Sequence, residues 1–132
     1  MNVFVFESTK IYQFMETLFA KQDRLLSLTS TGIIRTLMYQ NNWNAQLVAI
    51  KGPRGVGKTT LMLQYMKQYY EIYSREVLYC MLDSVYFSNH TLLELVDVFV
   101  KNGGKHLFLD EVHKYPTWSK AIKEVYDMYS DF

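Results

Sequence analysis

A glycine-rich segment in the middle of the chain has the residue types and the spacing of a phosphate-binding loop. It follows the Walker A pattern G-x-x-x-x-G-K-[ST] and consists of Gly52, Pro53, Arg54, Gly55, Val56, Gly57, Lys58 and Thr59, with Thr60 next to it. The glycines let the backbone turn tightly and let phosphate oxygens approach N–H groups. The Lys58 ammonium can reach the β- and γ-phosphates, and the Thr59 hydroxyl can be a ligand of Mg²⁺. We therefore predict that this segment binds a nucleoside triphosphate.

Two adjacent carboxylates, Asp110 and Glu111, follow an apolar run and form the second candidate group. Asp110 is placed to hold Mg²⁺ through water, so we assign it to the metal together with Thr59. Glu111 can polarise an attacking water molecule, and we assign it to catalysis together with Lys58. Many strands end in solvated acids, but after a Walker A loop this pair indicates a Walker B element. Because kinases of small molecules need no base beside this aspartate, Glu111 favours hydrolysis.

The hydrophobic pattern predicts the strands and the helix that must position these groups. We predict a buried strand at 46–50 before the loop, a helix at 60–70 after it, a second strand at 77–82, and a third strand at 106–111 that carries the two acids. The packing face predicted for the helix is formed by Met62, Tyr65, Met66, Tyr69 and Tyr73. Because both motifs need the same metal ion, these elements must bring them together.

Apolar residues at helical spacing predict two more helices before the loop. The first covers 9–28, with Ser8 or Thr9 as its N-cap. Its apolar stripe consists of Ile11, Phe14, Met15, Leu18 and Phe19. The second is short, at 33–38.

Two helices are also predicted beyond the second strand. Thr91-Leu92-Leu93-Glu94 matches a capping box, and Asn102-Gly103-Gly104 ends that helix. Its apolar stripe consists of Leu92, Leu95, Val96 and Phe99. The last helix covers 116–129, and the face predicted for it consists of Trp118, Ile122, Val125, Tyr126 and Tyr129.

Length, composition and charge limit the classes of protein to which the chain can belong. Its 132 residues suit one domain, and an apolar share of 49% predicts a globular core. A net charge of +1 gives no electrostatic reason to expect nucleic acid or an anionic membrane as partner. The single cysteine, Cys80, cannot form an internal disulfide, and we expect it to be a small buried apolar residue. No apolar run has the length of a membrane span, so we expect a cytoplasmic protein.

Residues 52–61 and 107–118 together resemble the AAA-type ATPases of prokaryotes that carry a C-terminal domain of unknown function. Pro116 and Trp118, shortly after the acids, are part of that likeness, which covers the chain from Trp43 onward. The resemblance implies an α/β fold, namely a P-loop NTPase three-layer sandwich with a mostly parallel sheet. It also implies ATP and Mg²⁺ as the bound cofactors.

In proteins of this group, the ATPase core continues past the equivalent of residue 132, with a further strand, a phosphate-sensing residue and an arginine finger. We therefore expect an N-terminal part of a longer protein, with a helical extension at 1–44, a partial ATPase core at 45–132 and weak hydrolysis by itself. The further strand would lie between 47–50 and 107–110, so 107–110 should instead pair in parallel with 77–82. Without the further strand, 47–50 and 107–110 would have unpaired N–H and C=O groups at the position between them. We therefore expect self-association or binding of a partner protein.

Other functions are compatible with the same motifs. A regulatory switch that binds a nucleotide without significant turnover would also need the Walker residues, but neither a sensing residue nor an arginine finger. His113 completes the D-E-x-H spelling of helicase motors, although the spacing from Lys58 to Asp110 is short for a helicase core. A guanine nucleotide is an alternative to ATP, because adenine has no comparably sharp sequence signature.

Overall fold

The structure, a computed structural model, describes residues 2–32, 57–71 and 73–129. In chain order it has helix α1 (Asn2–Ser27), helix α2 (Lys58–Tyr69), strand β1 (Val77–Met81), a 3₁₀-helix (Val85–Ser88), helix α3 (Leu92–Lys101), strand β2 (His106–Asp110), a second 3₁₀-helix (Val112–Lys114) and helix α4 (Trp118–Met128). The strand predicted at 46–50 and the helix predicted at 33–38 lie outside the described residues. Because strands and helices alternate, the described part has an α/β fold.

Strands β1 and β2 form a parallel pair, as predicted for 77–82 and 107–110. The register runs from Val77 opposite His106 to Met81 opposite Asp110. Parallel strands need a long crossover, and here the crossover contains the first 3₁₀-helix and α3. Whether another strand separates β2 from 46–50 stays a prediction.

A helix covers each face of the β1–β2 pair. On one face, α3 packs against Leu78 and Cys80. On the other face, α2 packs against Val77 and Tyr79. All four strand residues are buried, which explains the nearly continuous apolar sequence of β1 and confirms Cys80 as a core residue. The described part therefore has helices on both sides of a small parallel sheet, whereas the complete three-layer sandwich stays a prediction.

Helix α3 begins and ends at the predicted signals. The Thr91 hydroxyl accepts the Glu94 N–H at 3.1 Å, and the Glu94 carboxylate accepts the Thr91 N–H at 3.2 Å. After the helix, Gly103 has a left-handed backbone with φ 89°, and the Gly104 N–H donates to the Phe99 carbonyl at 2.8 Å. This is a Schellman ending, which glycine favours. The predicted stripe is buried in full: Leu92, Leu95, Val96 and Phe99.

Helix α1 is longer than predicted, because it begins at Asn2. The assignment of Ser8 or Thr9 as N-cap is therefore wrong, since both residues lie inside the helix. The sequence has no glycine or proline between Asn2 and Ser27, and serine and threonine are tolerated inside helices when nothing else ends them. The buried part of the predicted stripe is Met15, Leu18 and Phe19, while Phe14 is partly exposed.

The C-terminal half of α1 lies along the edge of β1 that is not paired with β2. Leu18 packs on the face covered by α3, and Leu25 and Leu26 pack on the face covered by α2. Between them, Gln22 is only 1% exposed and reaches the strand backbone. Helix α1 thus packs directly on the sheet, and the division of the chain after residue 44 stays a prediction.

The faces predicted for α2 and α4 are only partly correct. In α2, Tyr65 and Met66 are buried, but Tyr69 and Tyr73 are exposed. Tyr73 lies beyond the end of α2 at Tyr69 and no longer follows the helical period, whereas Tyr69 lies in the last turn of the helix, where its side chain stays exposed. In α4, the residues that pack against the core are Ala121, Ile122 and Val125, followed by Tyr129. Trp118 and Tyr126, which were predicted on that face, are exposed.

Candidate functional site

The N-terminus of α2 has the backbone geometry of an anion-binding site. Gly57, which precedes the helix, has a left-handed conformation with φ 85° and ψ 27°, and only glycine adopts this conformation without strain. Its carbonyl accepts the Leu61 N–H at 2.9 Å. Gly57 has no side chain to cap the helix, and the first turn contains no acidic residue. The N–H groups and the positive end of the helix dipole therefore favour a negatively charged ligand at this point.

Asp110, at the C-terminal end of β2, is 6% exposed and has hydrogen bonds to both carboxylate oxygens. Its Oδ2 accepts the Thr59 hydroxyl at 2.5 Å and the Tyr79 hydroxyl at 2.6 Å. Its Oδ1 accepts the Glu111 backbone N–H at 2.9 Å. The fold therefore brings together Thr59 and Asp110, the two residues that the sequence analysis assigned to the metal.

Tyr79 belongs to this cluster, although the sequence analysis did not select it. Its ring packs in the core between β1 and α2, and its hydroxyl reaches Asp110 on the neighbouring strand. Burial, followed by the hydrogen bond to Asp110, raises the pKa of the Tyr79 hydroxyl, which therefore stays protonated and donates. A buried tyrosine needs a partner for its hydroxyl, so the sequence signal was a tyrosine inside an apolar strand. Its partner depends on the strand register.

Glu111 follows Asp110 in an unusual backbone conformation. Its φ of 54° and ψ of 40° are left-handed, which costs a residue other than glycine roughly 1–3 kcal/mol and is typical of functional sites. The side chain is 20% exposed, and its Oε2 lies 3.4 Å from Nε2 of His113. His113 itself is 67% exposed. Glu111 is therefore partly accessible and close to the exposed imidazole of His113.

The residues of this cluster fit a bound Mg²⁺. The Thr59 hydroxyl donates its proton to Asp110, so its oxygen lone pairs can face a cation. Mg²⁺ in nucleotide sites uses one or two carboxylates and takes its other ligands from phosphate and water. Among the residues that the structure describes, no group of three or more His, Cys, Asp and Glu side chains could hold a metal by itself. Coordination of Mg²⁺ by Thr59 and Asp110 together with phosphate oxygens would agree with both observations.

The remaining predicted site residues are only partly described. Lys58 is the first residue of α2 and is partly buried, and Thr60 is exposed in the same turn. The other predicted loop residues lie outside the described part of the chain: Gly52, Pro53, Arg54, Gly55 and Val56. Their contribution to a site stays a prediction.

Comparison with known families agrees with this geometry. A family model described as an AAA domain matches residues 44–132. The chain belongs to this AAA domain family. Searches of curated proteins and of solved structures returned no match. By its family, the chain thus contains an ATPase-like, nucleotide-binding domain. Among the described residues of the whole chain, no helix is long and apolar enough to cross a membrane.

Proposed function

We propose that this AAA domain binds Mg·ATP and acts as an ATPase domain. The observation that carries the proposal is the contact between the Thr59 hydroxyl and the Asp110 carboxylate at 2.5 Å. These residues are far apart in sequence and come from the N-terminus of a helix and the C-terminal end of a strand. Both side chains suit Mg²⁺, and the helix N-terminus beside them suits phosphate.

Each residue of the proposed site has a separate role. Lys58 and the N–H groups of α2 would bind the phosphates, with residues 52–56 as the preceding loop. Thr59 and Asp110 would hold Mg²⁺, which neutralises phosphate charge when bound. Glu111 would accept a proton from the attacking water.

A regulatory switch with slow turnover is the second candidate function. Nε2 of His113 lies 3.4 Å from Oε2 of Glu111, and a group that contacts this carboxylate would compete with the water molecule that a base must activate. The sequence has no arginine after Glu111, and an arginine finger contributes about 10³–10⁵ in rate in related enzymes. We therefore propose that hydrolysis by this chain is slow even if binding is tight.

Finer proposals about the family group and about ATP rest on the sequence resemblance of 52–61 and 107–118, whereas the proposal about location rests on composition and the apolar pattern. We propose that the protein belongs to the prokaryotic proteins with a C-terminal domain, acts in the cytoplasm and prefers ATP to GTP. We also keep the proposal that it associates with itself or with a partner protein.

Equilibrium binding of a fluorescent ATP analogue in the presence of Mg²⁺ tests the nucleotide site. Lys58→Ala should weaken binding at least about tenfold, or about 1.4 kcal/mol, because it removes a cation from the phosphate site. Lys120→Ala, which removes an exposed lysine of α4, is the matched control and should bind like the parent. If the Lys58 variant and the parent bind the nucleotide with equal affinity, the assignment of this site to phosphate binding is refuted.

Single-turnover hydrolysis then separates the two candidate functions. Glu111→Gln should retain affinity and lose about 10²–10⁴ in rate, because an amide cannot accept the proton. Asp110→Asn should instead weaken binding that depends on Mg²⁺. If the parent binds Mg·ATP but shows no hydrolysis in a single turnover, the switch is the correct function.

A further inference from the structure

The Asp110 carboxylate accepts hydrogen bonds from two hydroxyl groups, one on an exposed side chain and one on a buried side chain. Thr59 is exposed at the first turn of α2, whereas Tyr79 is 4% exposed inside the sheet–helix interface. Both donate to the same oxygen, Oδ2, at 2.5 Å and 2.6 Å. The other oxygen, Oδ1, is held by the Glu111 N–H. The carboxylate therefore has one partner on an exposed side chain, one on a buried side chain and one on the backbone.

Three elements fix the position of the Tyr79 hydroxyl. Its ring packs with Leu63 and Met66 of α2. Its backbone belongs to β1, and its N–H donates to the Gln22 side chain of α1 at 2.7 Å. The register places Tyr79 opposite Phe108, on the same face of the sheet as Asp110. The hydroxyl thus reaches Asp110 diagonally across the strand pair. This contact requires the observed register of β1 against β2.

We propose that Tyr79 is a positioning residue that orients the Asp110 carboxylate for Mg²⁺. The proposal rests on the proposed function of this site. With hydrogen bonds at both oxygens, rotation of the carboxylate about its Cβ–Cγ bond is restricted. Without the Tyr79 hydroxyl, Oδ2 retains the Thr59 hydroxyl as its described side-chain partner, and that group belongs to an exposed side chain. Groups that orient a metal ligand typically contribute about 10–100-fold to metal affinity.

The substitution that tests this role is Tyr79→Phe, because it removes the hydroxyl and keeps the ring in the core. The assay is a titration of Mg²⁺ in which binding of a fluorescent ATP analogue is measured, together with its binding in excess chelator. We expect the variant to need about tenfold more Mg²⁺ for half-maximal binding, with unchanged affinity in chelator. Tyr86→Phe is the matched control, since Tyr86 is also buried but lies in the first 3₁₀-helix, where it stacks on His90. It should leave the Mg²⁺ requirement unchanged.

Each outcome decides the proposal. An unchanged Mg²⁺ requirement in Tyr79→Phe would overturn the role of Tyr79 and leave the proposed function intact. An equal loss of affinity with and without Mg²⁺ would show a purely structural role and would also overturn it. A parent protein that binds no Mg·ATP would overturn the proposed function, and the role of Tyr79 with it.

A second measurement needs no substitution and covers the case in which Tyr79→Phe does not fold. In the parent, the Tyr79 hydroxyl proton is buried and hydrogen-bonded. NMR should show this proton protected from exchange with water both before and after Mg²⁺ and ATP are added. Loss of that protection on addition would mean that the contact breaks in the bound state and would overturn the proposal.

Discussion

Gln22 of α1 is expected to make a large contribution to the stability of the sheet, although it is a polar residue outside the matched AAA domain. Its Nε2 donates to the Val77 carbonyl at 3.0 Å, and its Oε1 accepts the Tyr79 N–H at 2.7 Å. A side-chain amide carries N–H donors and a carbonyl acceptor with the spacing of a peptide group. Gln22 therefore takes the place of a neighbouring strand at this edge of β1.

The cost of removing these bonds can be worked out from the contacts. Gln22→Met keeps the volume of the side chain and leaves one buried carbonyl and one buried N–H without this partner. Each unsatisfied buried group costs about 1–3 kcal/mol, so we expect the loss of both partners in Gln22→Met to lower the free energy of unfolding by about 2–6 kcal/mol. Gln22→Ala should cost more, because it also removes buried atoms.

Two assays measure this effect, one global and one local. Urea unfolding provides the free energy of unfolding of the parent and of each variant. Amide hydrogen exchange reports on the Tyr79 N–H, which should exchange faster in Gln22→Met than in the parent. Gln13→Ala, an exposed substitution on the same helix, is the control and should stay within about 0.5 kcal/mol of the parent.

The reasoning is refuted if Gln22→Met is as stable as the Gln13→Ala control and the Tyr79 N–H keeps its protection. That result would mean that water or another group satisfies the edge of β1 equally well. Increased exchange at Tyr79 without a loss of global stability would show that the amide protects the strand edge locally and adds nothing to the free energy of unfolding.

Two further predictions concern the core. Burial raises the pKa of the Cys80 thiol to about 12, so Cys80 should not react with a thiol reagent at mildly alkaline pH until urea unfolds the chain, and rapid reaction of the folded protein would contradict its burial. Because the folded pKa lies above the ordinary value of 9.0, the stabilising contribution of the neutral thiol is complete below that value and is lost as the pH rises toward the folded pKa. Gly104→Ala should lower the free energy of unfolding by about 1–3 kcal/mol, because the added Cβ would lie 2.5 Å from the Phe99 ring. Urea unfolding measures this change. Gly32→Ala is the control, since the nearest atom to its added Cβ lies at 3.6 Å. Equal stability of these two glycine variants would show that the Phe99 ring moves freely.

Local signals in the sequence predicted the elements whose ends depend on nearby residues. Helix α3 was predicted from its capping box, its apolar stripe and its glycine ending, and all three are confirmed. The strands at 77–82 and 106–111 were predicted within one residue of their observed ends. Helix α1 was predicted too short, because capping residues also occur inside helices where no glycine or proline intervenes. The packing faces of α2 and α4 were predicted only in part, because a helical stripe of large apolar residues does not say which of them another element covers.

By itself, the sequence determined the residue types available for chemistry and their position at the ends of elements. Lys58 and Thr59 at the start of a helix, and Asp110 and Glu111 at the end of a strand, follow from motif spacing and hydrophobic period. These features are local, since each depends on residues within one or two turns of the chain.

The tertiary structure alone decided which of these side chains touch, and which additional residues hold them. The contact of Tyr79 with Asp110 requires the parallel register of β1 against β2. The contacts of Gln22 require the placement of α1 at the edge of β1. These contacts join residues that are distant in sequence, and their partners are selected by the packing of whole elements. A pattern along the chain shows that a buried hydroxyl or amide needs a partner, but only the packed structure shows which group supplies it.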